Sequence, residues 1–166
     1  MEQTRIETAQ GARDLSARGL SADGSTSATV LLVEDEHFVR EVTREILQAA
    51  GYSVLAFPSA ADAKRVVGSD ETAIQLLLTD VVLPDQNGLD LASDLISLCP
   101  QLKVVFISGY PENIVTRSGL ARRGVSYLPK PYSSETLTET IREVLAGNCK
   151  QVNSGDGKTA HAAGSS

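Results

Sequence analysis

Five short apolar runs recur along the chain, and helical periodicity fills the intervals between them. The runs are TVLLV (29–33), YSVLAF (52–57), AIQLLLT (73–79), KVVFIS (103–108) and VSYLPK (125–130). Each reads as a short strand, the first apolar and β-branched enough to be buried and the third apolar enough to be covered on both faces. After the first run, Val39, Val42, Ile46 and Leu47 fall at helical spacing and Gly51 supplies a stop. Pro58 and Ser59 open a short helix through Val67. LDLASDLISLC sets Leu91, Leu95 and Leu98 on one helical face, and Pro100 ends it. PENIVTRSGLARRG (111–124) predicts a less amphipathic helix from Pro111. The last segment carries Ser133 or Ser134 as N-cap, Leu137, Ile141, Val144 and Leu145 on one face, and Gly147 as C-cap. Strands that alternate with helices, and are apolar enough to be covered on both sides, predict an α/β fold with a five-stranded parallel sheet and helices on both faces.

The chain has 166 residues, which suits one domain with a real core. Hydrophobic residues make up 42% and charged residues 22%, the balance of a folded globular protein. Residues 1–28 read as a flexible polar extension or linker, 29–147 as the folded domain, and 148–166 as a disordered tail. His161, in that tail, reads as a solvated residue. A net charge of -6 argues against a general binder of nucleic acid or membrane surfaces, which needs a basic face. Cys99 and Cys149 have no metal-like or redox-like neighbours and read as reduced thiols. No stretch approaches a membrane span, and the N-terminus lacks the apolar core of a secretory signal, so a cytoplasmic location is expected.

The polar residues at the ends of the predicted strands form a set. Glu34 and Asp35 follow the first, Asp80 the third and Ser108 closes the fourth; Lys130 follows the fifth, between Pro129 and Pro131. A parallel sheet gathers all of these on one edge. Carboxylates crowded together repel unless a cation lies between them, and carboxylates with backbone carbonyls suit Mg²⁺. A divalent ion beside the Lys130 ammonium makes a pocket for a phosphoryl group, with the Ser108 hydroxyl in support and a carboxylate as nucleophile. Taken singly, each residue reads as a solvated loop group or a cap. Five at the matching ends of their strands read as a site.

The segments LLVEDE, LLLTDVVLPDQNGLDL, VVFISGY and YLPKPY, in this order, resemble the receiver domain of bacterial two-component response regulators. The resemblance covers residues from about 29 to 147. It implies the flavodoxin-like (βα)5 fold with strand order 2-1-3-4-5, an order that comes from the family and not from these residues. It implies that Asp80 accepts a phosphoryl group from a histidine kinase or histidine phosphotransfer protein. Asp35, Asp80 and the backbone carbonyl of Val82 would hold Mg²⁺, with Glu34 acting mainly through bound water. Lys130 would pair with the phosphoryl oxygens, Ser108 would be the switch hydroxyl and Tyr127 the switch aromatic. The Lys130–Pro131 bond is expected to be cis. Charge added at Asp80 would draw in Ser108, admit the Tyr127 ring and reshape the face of the fourth helix, last strand and last helix. Val82 and Tyr110 stand where the family lines the path of the hydrolytic water, which implies slow loss of phosphate.

Other readings are weaker on particular residues. A haloacid-dehalogenase-like phosphatase wants a second Asp two residues after the nucleophile, where this chain has Val82. A nucleotide-binding module wants a glycine-rich phosphate loop, and neither G-x-G-x-x-G after the first strand nor G-x-x-x-x-G-K-S/T occurs. A degenerate, interaction-only receiver would not retain acceptor, acid pair, serine and lysine together. The terminal receiver of a hybrid histidine kinase, with residues 1–28 as its linker, stays open beside a stand-alone regulator. Either way the domain is expected to be consumed as substrate, not to turn over as an enzyme. It would act through an unidentified downstream protein, without direct contact with nucleic acid or membrane. A homodimer through the last-helix region is compatible with this reading.

Overall fold

The computed structural model describes residues 27–67, 73–109 and 125–147. The helix expected over 111–124, Tyr110, Cys149, residues 1–26 and the tail with His161 lie outside the described residues. Nine elements follow in order: β1 (Thr29–Val33), α1 (His37–Ala49), β2 (Ser53–Phe57), α2 (Ala60–Val67), β3 (Leu76–Asp80), α3 (Gly88–Leu98), β4 (Lys103–Ser108), β5 (Val125–Pro129) and α4 (Ser134–Leu145). The strands pair in parallel in the order β2-β1-β3-β4-β5.

Period-two alternation divides the apolar residues of each strand between the two faces of the sheet. Leu31, Val33, Leu77, Val104 and Phe106 pack on one side against Ala60 and Ala63 of α2 and Leu91 and Leu95 of α3. Val30, Leu32, Leu76, Leu78, Val105 and Ile107 pack on the other, against Leu47 of α1 and Leu137, Ile141 and Val144 of α4. A fully buried Leu stabilises by about 1.5–3 kcal/mol relative to an exposed one, so these two layers are the main source of stability.

Two helices present different faces from those the spacing predicts. Leu98 is 65% exposed, and the α3 core face runs through Leu91, Ala92, Leu95 and Ile96. On α1, Thr43 and Leu47 are buried while Val42 is 39% exposed, because the helix is rotated toward Thr43, whose hydroxyl lies 3.4 Å from that of Tyr132.

Helix ends are closed by named groups. Asn87 accepts from Leu89 N at the start of α3, and Ser133 accepts from Thr136 N at the start of α4. Gly51 and Gly147 follow α1 and α4 with φ of 95° and 85°, the left-handed turn that glycine adopts without strain. At the far end of α4, Lys103 Nζ donates to the carbonyls of Val144 and Leu145, both at 2.9 Å. Both carbonyls lie in the last turn, at the negative end of the helix dipole, and Val144 O also accepts from Gly147 N at 3.1 Å.

Candidate functional site

The strand register aligns the site. Val33 pairs with Thr79, Asp80 with Ile107 and Ser108 with Pro129, so four strands run out at nearly the same level. Asp80 is the last residue of β3, half-buried, and not the first residue beyond it. Its Oδ1 accepts from Val82 N at 2.8 Å and its Oδ2 from Lys130 Nζ at 2.5 Å. The loop then turns back at once. Gly88 N donates to Val81 O at 2.8 Å, and Val82 bridges Asn87 in antiparallel fashion.

Lys130 is held from behind. Its backbone N donates to Ser108 O at 2.9 Å, and the peptide that joins it to Pro131 is cis. Its Nζ also stands 3.8 Å from Glu34 Oε2, so one ammonium spans two carboxylates. Burial works against that charge, but the hydrogen bond and charge of Asp80, with Glu34 behind them, raise the pKa of Lys130 above the ordinary lysine value.

Glu34 is only 2% exposed. Its Oε1 accepts from Glu36 N at 3.2 Å, whereas Oε2 is buried without a hydrogen-bond partner. Burial raises its pKa; the Glu36 N–H and Lys130 pull it down, and the neighbouring Asp80 and Asp35 push it up, for a net increase. Asp35 is exposed beside it. The backbone carbonyls of both acids accept from Arg40 Nη1, Glu34 O at 2.7 Å and Asp35 O at 3.2 Å.

Asp80, Lys130 and Glu34 are thus in direct reach of one another, with Asp35 next to Glu34 and Ser108 closing the neighbouring strand. Val82 is 77% exposed at the rim. Tyr127 stands apart from the cleft: its ring stacks on Phe106 with centroids 5.7 Å apart, and its hydroxyl is buried without a hydrogen-bond partner. Among the described residues no three His, Cys, Asp or Glu side chains converge into a ready metal cage. An orphaned, buried carboxylate oxygen among mutually repelling acids is nevertheless what a hard cation would relieve. Mg²⁺ retains several waters and needs only one or two protein carboxylates. The residues fit that ion.

Three contributors escape inspection of the strand ends. Arg40 acts on backbone oxygens and carries no sequence signal. Gly88 approaches so closely that a Cβ there would lie 2.1 Å from Asp80 O. Asp85 reaches across to α2, where its Oδ1 and Oδ2 accept from Ala60 N at 3.1 Å and Ala61 N at 2.9 Å. The one sequence signal this loop offers is Asn87, a residue type suited to cap the apolar helix that follows.

The profile of the response regulator receiver domain matches residues 30–142. The chain belongs to this family. It is 33% identical to the response regulator receiver protein CpdR of Brucella abortus, with 70% of this chain and 95% of that protein covered. It is 37% identical to the sensor kinase CckA of the same organism over 75% of this chain, and there it spans only 13% of the relative's length. The crystal structure of the receiver domain from the hybrid histidine kinase CckA superimposes with a TM-score of 0.60 at 33% identity, covering 71% of this chain and 99% of that one. The domain is therefore a receiver of two-component signal transduction, a regulatory module. Among the described residues no helix is long and apolar enough to cross a membrane.

Proposed function

We propose that this receiver, taken as residues 29–147, accepts a phosphoryl group on Asp80 from a phosphohistidine of a histidine kinase or phosphotransfer protein. The observation that carries this reading is the Lys130 ammonium between Asp80 Oδ2 at 2.5 Å and Glu34 Oε2 at 3.8 Å, at the carboxyl edge of a parallel sheet. A carboxylate oxygen of Asp80 forms the new bond to phosphorus while the bond from phosphorus to the imidazole nitrogen breaks, its electron pair staying on the ring. Lys130 passes from the carboxylate to the phosphoryl oxygens and neutralises their charge. The Ser108 hydroxyl donates to one of them. Asp35, Asp80 and the Val82 carbonyl would hold Mg²⁺, with Glu34 acting through water, and the ion would supply charge neutralisation at the phosphoryl group. Withdrawal of Ser108 toward the phosphate alters the space beside Tyr127, and the surface around β5 and α4 presents that change to a downstream protein.

Similarity to CpdR along nearly its whole length favours a stand-alone regulator, while similarity to CckA favours a receiver carried by a hybrid kinase. The test of the chemistry is the same for both. Intact mass after incubation with acetyl phosphate and Mg²⁺ should rise by one phosphoryl group, and Asp80→Asn or a chelator should abolish the gain. A gain that survives Asp80→Asn would move the acceptor elsewhere.

A further inference from the structure

Arg40 stands one turn into α1, half-buried, and makes its polar contacts with neither phosphoacceptor nor acid side chains. One nitrogen, Nη1, takes two successive carbonyls, Glu34 O at 2.7 Å and Asp35 O at 3.2 Å. The two peptide planes so held flank the Cα of Asp35 and set the direction in which its exposed side chain leaves the chain, and the first of them also adjoins the Cα of the buried Glu34. Among the described residues Arg40 forms no ion pair, so it brings positive charge to the acid pair without occupying a carboxylate oxygen. Lys130 does the opposite, taking Asp80 Oδ2 directly.

We propose that Arg40 is a positioning residue for cation binding: it holds the β1–α1 turn so that Glu34 and Asp35 present free oxygens to Mg²⁺. The inference rests on the metal reading given above. A planar guanidinium suits this task better than an ammonium, because its N–H groups leave in a fixed fork. Groups that orient metal ligands from behind typically govern affinity by about 10–100-fold.

Calorimetric titration of the full chain with Mg²⁺ alone separates the possibilities, run on the native protein, Arg40→Lys and Arg40→Gln, with thermal unfolding in chelator alongside. The expected result is a Kd raised about ten-fold or more in Arg40→Gln, with Arg40→Lys between it and the native chain. Variants that lose thermal stability yet bind Mg²⁺ as tightly as the native chain would overturn the proposal and leave Arg40 a helix-entry tether. If Arg40→Gln does not fold, the Kd of Arg40→Lys decides: raised supports the role, unchanged overturns it. A native chain that takes no Mg²⁺ would overturn this proposal together with the metal reading, an outcome distinct from tight binding by all three proteins.

Discussion

A methyl group placed on Gly88 would lie 2.1 Å from the carbonyl oxygen of Asp80 and 3.1 Å from the carbonyl carbon, against backbone that cannot swing away like a side-chain tip. Gly88→Ala must therefore displace the peptide of Asp80 or unwind the first turn of α3. Overpacking of this kind costs about 1–3 kcal/mol or more. The urea midpoint of Gly88→Ala should fall accordingly, with the m-value unchanged, and its phosphoryl gain from acetyl phosphate should be slower than that of the native chain. An unshifted midpoint would mean that the turn yields easily. Asp80, Glu34 and Lys130 were legible because, with Asp35 and Ser108, they stand at the ends of strands that a parallel sheet gathers on one edge. Gly88 and Arg40 were not, since each is defined by the backbone atoms it meets, and those contacts exist only after folding.

The loop between β3 and α3 also closes the neighbouring helix. Asp85 supplies acceptors for Ala60 N and Ala61 N, amides that the first turn of α2 cannot satisfy internally. Lys64 of α2 binds back to Gln86 at 2.6 Å and to Asp94 of α3 at 2.5 Å. The N–H groups of Ala61 and Ala60, helped by Lys64, lower the pKa of Asp85 below its usual 3.8. A lowered carboxylate pKa contributes stability that is present above the unfolded value and lost as pH falls through the folded one. Protection of Ala60 and Ala61 against hydrogen exchange, taken relative to the intrinsic rate at each pH, should fall in Asp85→Ala, and in the native chain it should fall on acidification below about pH 3.8. Equal exchange in both proteins would deny Asp85 this role. At the scale of elements the sequence was a good guide to where the strands lie, although β2, at the edge of the sheet, is only half-buried along its whole length. Helix faces were less legible: the spacing alone could not tell that Val42 and Leu98 would turn outward, because which face of a helix is covered depends on tertiary packing, as where Thr43 of α1 meets Tyr132.

For the molecule as a whole, the buried Glu34 carboxylate works against folding once it is ionised. Burial raises the pKa of Glu34 from 4.5, and a raised carboxylate contributes stability that is present below that value and lost as pH rises through the folded one. In chelator, stability from this group should therefore decline from about pH 4.5 upward, opposite in sign to Asp85. Glu34→Gln should remove that decline in urea titrations across pH and leave the chelated protein more stable near neutrality. Mg²⁺ should stabilise the native chain by about 2.7 kcal/mol at a hundredfold excess over Kd, and Glu34→Gln by less. A pH profile identical in the two proteins would remove Glu34 from this account. The sheet order was available only through the family resemblance, since strand alternation fixes the presence of a parallel sheet and not its permutation.

The Lys130–Asp80 bond joins positions 50 residues apart, and β5 must dock on β4 before it can form. Contacts of such long sequence separation are made late, after the loop entropy has been overcome. During synthesis from the N-terminus, Asp80 emerges well before its counter-charge. Until the last strand is seated, the chain holds its acids without the cation that serves them. The cleft therefore gains its ammonium only when the last strand is seated on β4.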